Sequence, residues 1–208
     1  MKVAIITDDA LKEEWISQGM QESVQAEWLP GPMAVEGAGC YIDLLFQPTS
    51  ERINQLKKLQ AATIIVNSVT ATLDKFPENF IRINGWPGFL KRTVVESSCS
   101  NDELKSRAEK IISLFNKTIE WVPDVPGFIT ARIISMIINE AYFTLDEKVS
   151  SKKEIDIAMK LGTNYPYGPF EWSEKIGLKK VYELLSTLSK SNSRYEPASL
   201  LKKEALHT

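Results

Sequence analysis

The sequence is poor in the side chain that most often moves protons near neutral pH. Its 208 residues include one histidine, His207, which is the penultimate residue. Histidine is the usual general acid or base at that pH. A mechanism that needs an imidazole in the body of the fold is therefore excluded, unless the C-terminal tail, a part of the chain that is usually poorly ordered, folds back into a site.

Cysteine, positive charge and long apolar runs are also scarce. The two cysteines, Cys40 and Cys99, cannot form a disulfide framework, so we expect a cytoplasmic protein. Lys+Arg 25 against Asp+Glu 27 gives a net charge of −2, which argues against nucleic acid as a partner. The most apolar stretch, residues 128–143, carries charged residues, so no membrane span is expected. The N-terminus turns acidic too early, at Asp8, for a signal peptide.

The remaining composition, 43% hydrophobic and 25% charged, is that of a globular protein with one domain or two small ones. In residues 1–122 short β-branched runs alternate with helical patterns, which predicts βαβ units and a mainly parallel sheet. Ser50 is the expected N-cap of the second helix, and a capping box is expected at residues 100–103. The predicted strands are 2–7, 23–28, 41–46, 63–68, 80–84, 93–96 and 118–122.

Residues 123–208 have a different pattern, with no convincing strand. Helices are predicted over 128–145, from a capping box at 151–154 to Gly162, and over 179–189 and 197–205. Residues 163–170 (TNYPYGPF) are predicted to form a rigid aromatic loop. The sequence therefore predicts an α/β domain over residues 1–122 and an all-helical domain over residues 123–208.

Five short motifs follow one another in the second half without an evident gap. They are 124–129 (DVPGFI) with 139–141 (NEA), 155–162 (IDIAMKLG), 165–171 (YPYGPFE), 176–178 (IGL) and 194–197 (RYEP). In this order they resemble the C-terminal domain of the 3-hydroxyacyl-CoA dehydrogenases. The resemblance implies a Rossmann-like dinucleotide-binding domain followed by a helical domain that forms a homodimer. It also implies oxidation of a 3-hydroxyacyl-CoA, in fatty-acid metabolism, by hydride transfer to NAD.

The resemblance places the family's catalytic pair at Asn84 and Glu96. In the family a histidine at the end of one strand is the general base, and a glutamate in the next strand orients it. Glu96 is present, but the base position holds Asn84, whose amide cannot take up a proton at physiological pH. For Glu96 the alternative is a solvated acid at the end of a strand. For Asn84 it is an ordinary turn residue before Gly85.

Two more positions differ from the family's pattern on the substrate side. The family's Asn-Thr-Ser, whose hydroxyl holds the substrate oxygen, corresponds to residues 67–69, so Val69 takes the hydroxyl position unless a one-residue slip restores Ser68. An asparagine of the long helix is replaced by Ala131. By resemblance the loop 163–170 lies at the mouth of an interdomain cleft, as a channel wall or as a rigid plug. The candidate substrate-binding residues are Asn67, Ser68, Tyr165, Tyr167 and Phe170.

A glycine-rich turn is missing after the first strand. Dinucleotide-binding folds need G-x-G-x-x-G there so that backbone N–H groups can approach the pyrophosphate. This chain has residues 7–11 (TDDAL), whose two carboxylates would repel that dianion; Asp8 and Asp9 are better suited to cap a helix. Glu27 lies 20 residues after Thr7, the spacing of a ribose-binding acid. Thr7 and Glu27 remain as candidate NAD-binding residues, and no metal site is predicted.

The sequence therefore predicts a 3-hydroxyacyl-CoA dehydrogenase-like pseudoenzyme, impaired in hydride transfer, that binds acyl-CoA or acts as a scaffold. One alternative is an active oxidoreductase in which Glu96 is the base, directly or through a water held with Asn84. Another is a purely structural or interaction protein whose tryptophans are core or interface anchors. We expect a homodimer through the helical half, because apolar residues surround much of the helix predicted over 128–145.

Overall fold

In the computed structural model, which describes residues 1–207, the chain forms two compact units. The first is Met1–Phe128, and the second begins at Ile129. The division falls a few residues after the boundary predicted at residue 122. Among residues 1–207 no helix combines the length and the apolarity that crossing a bilayer requires.

Within residues 1–128, seven strands form one sheet. They are β1 (Lys2–Ile6), β2 (Gln25–Leu29), β3 (Cys40–Asp43), β4 (Thr63–Asn67), β5 (Phe80–Ile83), β6 (Val94–Ser98) and β7 (Thr118–Trp121). Their order is β2-β1-β3-β4-β5-β6-β7. Every neighbouring pair is parallel except β5 and β6, which are antiparallel. The predicted α/β class with a mainly parallel sheet is confirmed.

The central strands β1, β3, β4 and β5 are buried on both faces, as expected for strands covered on each side. One face packs against α1 (Asp9–Trp15) and α3 (Asp102–Ser113). The other packs against α2 (Ser50–Lys58) through Leu56. Because β2 and β3 lie on opposite sides of β1, the chain reverses its winding there, and the crevice at the carboxyl ends of β1 and β3 is the default ligand position of such a sheet.

Two predicted helix caps in this unit are wrong by one residue. Thr49, whose Oγ1 accepts from Arg52 N at 3.2 Å, caps α2, because Ser50 is already helical. Asn101 caps α3 and accepts from Leu104 N at 2.9 Å, so the expected capping box at 100–103 does not form. Ser100 instead donates to the carbonyl oxygen of Glu78 at 3.1 Å.

The second unit is helical throughout its regular structure, as the sequence predicts. Its α-helices up to residue 207 are α4 (Thr130–Asp146), α5 (Lys152–Thr163), α6 (Pro169–Ile176), α7 (Leu178–Ser189) and α8 (Ser199–His207). The capping box of Ser151 with Glu154 forms as predicted. Gly162 does not end α5, which continues to Thr163 and stops at Asn164 in the left-handed region, φ 55°.

Helix α6 begins at Pro169, inside the segment that the sequence predicts to be a loop. Proline is well suited to the first turn of a helix, where its missing N–H is not needed. Pro169 begins α6, and the Glu171 carboxylate accepts from the N–H of Gly168 at 2.9 Å. The predicted loop 163–170 is therefore a loop only as far as Gly168.

The side-chain amide of Asn139 links α4 to the segment just before α8 by two hydrogen bonds. Asn139 Nδ2 donates to the carbonyl oxygen of Glu196 at 2.9 Å, and its Oδ1 accepts from Ala198 N at 2.8 Å. The Tyr142 hydroxyl donates to Glu204 at 2.7 Å. Burial, reinforced by that carboxylate, raises the pKa of Tyr142. Two of the motifs that carry the family resemblance, around Asn139 and Glu196, thus hold the helical unit together.

Candidate functional site

Asn84 and Glu96 lie side by side because β5 and β6 are antiparallel. The pairing of these strands continues past Ile83, and Asn84 N donates to the Glu96 carbonyl oxygen at 3.0 Å. Asn84 Nδ2 donates to Glu96 Oε2, also at 3.0 Å. A carboxylate only accepts hydrogen bonds, so this contact fixes the orientation of the Asn84 amide and turns its Oδ1 away.

The chemistry open to this pair is limited by the amide. Asn84 is buried, and its Oδ1 has no hydrogen-bond partner among residues 1–207. A buried acceptor without a partner costs about 1–3 kcal/mol, which favours a donor such as a hydroxyl or a water at this point. Asn84 can hold such a donor, but it cannot take its proton; Glu96 is the one member of the pair that can.

Asn67, a candidate substrate-binding residue, is engaged by its own backbone surroundings. Its Nδ2 donates to the carbonyl oxygens of Leu44, at 3.1 Å, and Gly85, at 2.8 Å. Its Oδ1 accepts from Gly85 N at 3.0 Å. The fit is close, since a Cβ on Gly85 would lie 2.7 Å from the Asn67 side chain. Asn67 therefore ties together the segments that follow β3, β4 and β5.

The next two residues also face inward. The Ser68 hydroxyl donates to the carbonyl oxygen of Ala71 at 3.0 Å and closes a turn. Val69 is buried and has no polar side-chain atom. Of the two residues that the resemblance offers for the substrate-binding hydroxyl, Val69 is therefore apolar, and the Ser68 hydroxyl donates to its own backbone.

The turn after β1 does not fit the pyrophosphate of NAD. Asp8 Oδ1 accepts from Leu11 N at 2.8 Å and caps α1, as its sequence position suggested. The Thr7 hydroxyl donates to the Asp8 carbonyl oxygen at 2.9 Å. A negatively charged side chain thus accepts from the N–H group that a bound phosphate would use, where dinucleotide sites have glycines.

Glu27 is not at the ligand-binding edge of the sheet. It lies in the middle of β2, exposed, and pairs with Ala4 of β1. The strand ends two residues later, at Leu29. The Glu27 carboxylate therefore does not reach the carboxyl end of the sheet, where Thr7 follows β1. The spacing along the sequence was right for a ribose-binding acid, but the strand continues past the residue.

A cavity of about 300 Å³ lies beside the ends of β2 and β3, with Pro30, Leu45 and Arg52 in its wall. Arg52 donates to the buried carboxylate of Asp43 through Nε, at 2.7 Å, and Nη2, at 2.9 Å. Burial raises the pKa of Asp43, and these hydrogen bonds oppose the rise. The sequence analysis does not predict this ion pair. The signal for it in the sequence is Asp43, a carboxylate at the end of an apolar strand.

The three aromatic candidates of the second unit have different surroundings. Phe170 belongs to the core of that unit: its N–H donates to Asp156 at 2.8 Å, and its ring meets Tyr142 edge-on at 5.0 Å. Tyr167 packs edge-on against Trp172, with 4.9 Å between ring centroids. Tyr165 is 38% exposed. The three side chains therefore have separate contacts within the described part of the second unit.

Comparison with known proteins gives the family. Residues 127–207 match the model of the 3-hydroxyacyl-CoA dehydrogenase C-terminal domain. The chain is 37% identical over 116 residues to 3-hydroxyadipyl-CoA dehydrogenase of Escherichia coli K12, covering 55% of this chain and 24% of that protein. It is 32% identical over 147 residues to 3-hydroxybutyryl-CoA dehydrogenase of Bradyrhizobium diazoefficiens, covering 68% of this chain and 50% of that protein. The matched regions thus span half or less of these curated relatives.

A solved structure extends the likeness to both units. The crystal structure of (S)-3-hydroxybutyryl-CoA dehydrogenase from Ralstonia eutropha aligns with a TM-score of 0.76, covering 99% of this chain and 93% of that one. At 18% sequence identity this likeness establishes the fold alone.

The sheet topology and the helical second unit define the class: a Rossmann-like dehydrogenase fold with a C-terminal helical domain. The matched C-terminal domain then gives the family within that class. The chain contains the C-terminal domain of the 3-hydroxyacyl-CoA dehydrogenase family, and the curated relatives that it matches carry names of that family. The resemblance seen in the sequence is confirmed.

Proposed function

We propose that this protein binds acyl-CoA thioesters and has lost the NAD-dependent hydride transfer of its family. The observation that carries the proposal is the Asn84 amide, which donates to Glu96 at 3.0 Å and which the resemblance aligns with the family's base. A 3-hydroxyl group placed there would be held without being deprotonated by Asn84. The thioester class comes from the family and from the names of the relatives.

The turn after β1 supports the same proposal. Hydride transfer needs NAD, and the Asp8 carboxylate occupies the N-terminus of α1 in place of a phosphate. The proposed loss of the proton acceptor and of the glycine-rich turn that binds the pyrophosphate removes two requirements of the reaction. The fold of each unit is kept.

Ligand binding and turnover test the proposal separately. We expect CoA thioesters, with 3-hydroxybutyryl-CoA and butyryl-CoA as probes, to raise the melting temperature, and NAD to leave it unchanged. NADH formation from 3-hydroxybutyryl-CoA should stay far below about 1 per second, the lower end of ordinary enzyme rates. Turnover at or above that rate would refute the loss of activity. Absence of any stabilisation by thioesters would refute the binding function.

A second candidate function rests on the Glu96 carboxylate. Because Glu96 is the titratable member of the pair, it is the group through which this chain would move a proton. If turnover is detected, Glu96→Gln should abolish it while leaving thioester binding within about threefold, since the amide is nearly isosteric. Unchanged turnover in Glu96→Gln would eliminate this candidate.

For the helical unit we propose a homodimer formed through α4. Two cavities, of about 330 and 400 Å³, lie along this helix and share Ile137 and Glu140 in their walls. Ile133 is 52% exposed on the same helix. We propose that a second copy of the chain binds this surface of α4. The family resemblance implies dimerisation, and exposed apolar surface of this kind is favourably buried in a protein contact.

Sedimentation of the wild type and two variants tests the dimer. Ile133→Glu should shift the protein to monomer, because it buries a charge at the contact. Leu206→Glu is the matched control, since Leu206 is 59% exposed on α8 and lines neither cavity. A monomeric wild type at micromolar concentration would contradict the proposal.

We also propose a cytoplasmic location. Cys40 and Cys99 are both free thiols. Free thiols and the absence of disulfides among residues 1–207 suit a reducing compartment. Localisation of a tagged full-length chain by fractionation tests this, and secretion would contradict it.

A further inference from the structure

Arg82 is a fully buried guanidinium in the middle of β5. Its Nε donates to the Ser68 carbonyl oxygen at 3.0 Å, and its Nη2 donates to that of Val69 at 3.1 Å. Its Nη1 bonds to the carboxylate of Asp124. Burial lowers the pKa of Arg82, and Asp124 opposes that effect. A buried charge is retained only where such partners compensate its lost hydration.

Asp124 also binds a second point of the turn that follows β4, the turn whose Ser68 and Val69 carbonyl oxygens accept from Arg82. Its Oδ2 accepts from Leu73 N at 2.8 Å, while its Oδ1 receives Arg82. Nearby, Gly127 N donates to the Val69 carbonyl oxygen at 2.8 Å. One ion pair therefore holds two segments at once: the turn after β4, residues 68–73, and the connector after β7, residues 124–128.

The connector held in this way is strained. Gly127 and Phe128 both have left-handed backbones, with φ of 86° and 48°. A left-handed backbone is ordinary for glycine but unfavourable for a bulky residue, and it persists only where the surroundings impose it. Here the Arg82 guanidinium lies over the Phe128 ring, 4.6 Å from its centroid. Phe128 is also the last residue of the first compact unit.

We propose that Arg82 and Asp124 form a latch that makes the 68–73 turn and the 124–128 connector one switching element. In the latched state the pair fixes the turn and imposes the strained backbone at Phe128. In the released state both segments loosen together, and Phe128 returns to an ordinary backbone conformation. Arg82 is a positioning residue in this device. The latch does not depend on the proposed function, since no ligand takes part in it.

Two measurements test the latch: amide hydrogen exchange at Leu73 and Gly127, and chymotrypsin cleavage after Phe128. In Arg82→Met we expect both amides to exchange at least about tenfold faster, because the shared partner is gone. Cleavage should then yield fragments 1–128 and 129–208. Arg107→Met is the matched control, since it removes the exposed Arg107–Glu103 pair of α3, and it should change neither readout.

Asp124→Asn keeps the test decisive if Arg82→Met does not fold. It is nearly isosteric, but it removes the charge that compensates the buried Arg82, so its midpoint of urea unfolding should fall. The latch then requires that both amides accelerate together and by more than this loss of global stability. Acceleration of one amide alone would overturn the latch. So would acceleration in step with global unfolding, which would mean that the ion pair stabilises the whole unit and controls no local element.

Discussion

Replacing Asn67 by aspartate removes two hydrogen-bond donors from a half-buried junction and keeps its acceptor. The wild-type amide makes three bonds there: to the carbonyl oxygens of Leu44 and Gly85 and from the N–H of Gly85. Aspartate would face both carbonyl oxygens with negative charge. Leaving a fully buried acceptor unpaired costs about 1–3 kcal/mol, and because these two acceptors are only partly buried we expect each loss to lie in the lower part of that range, roughly 2–4 kcal/mol combined. That is a large fraction of the stability of an ordinary domain.

Urea denaturation of Asn67→Asp, Asn67→Ala and the wild type measures this loss. The alanine variant should lose a similar amount, because it gives up all three bonds. Asn54→Asp, an exposed site on α2, should stay within about 0.5 kcal/mol of the wild type. If Asn67→Asp is as stable as the wild type but loses thioester binding, the structural role argued for Asn67 is refuted and its prediction as a substrate ligand gains support.

Three other changes test separate parts of the molecule. Gly168→Ala would press a Cβ against the Asp156 side chain, and we expect denaturation to show a loss of about 1–3 kcal/mol from overpacking; a neutral effect would contradict the close fit. Burial lowers the pKa of Lys117 from 10.5 to about 8, so between these values the unfolded chain binds more protons and stability rises with pH. From about pH 7.5 to pH 9 the wild type should gain about 1 kcal/mol relative to Lys117→Met, and parallel curves would exclude the shift. Asn84→His restores a proton acceptor but leaves Asp8 at the cofactor turn, so NADH formation should remain below about 1 per second, and faster turnover would show that the turn accepts NAD.

Much of the secondary structure was predictable because its signals are local. Buried β-branched runs mark the central strands, and the box formed by Ser151 and Glu154 starts α5 where expected. The failures are local too. Whether Ser50 or Thr49 caps α2 depends on which residue keeps an extended backbone, and two adjacent hydroxyl residues do not distinguish these cases. Pro169 was misplaced because proline suits both a loop and the first turn of a helix.

The candidate site was predictable only in its chemistry. The sequence alone limits the imidazoles to His207 in the C-terminal tail and places acidic residues, without glycine, after the first strand. Which side chains are available is fixed before folding, whereas the position of His207 is not. The resemblance also paired Asn84 with Glu96, and the antiparallel strands then set their contact.

What the tertiary structure decided is the partner of each polar group. Asn67 meets a backbone segment 18 residues away, and Arg82 meets a carboxylate 42 residues away. An arginine in a strand ordinarily indicates a solvent-facing position, and the pattern of strand residues did not reveal that Arg82 is buried. Its compensating charge comes from the connector that follows β7, 42 residues further along the chain. Hydrogen bonds between such distant segments depend on how the chain packs and leave no periodic trace in the sequence.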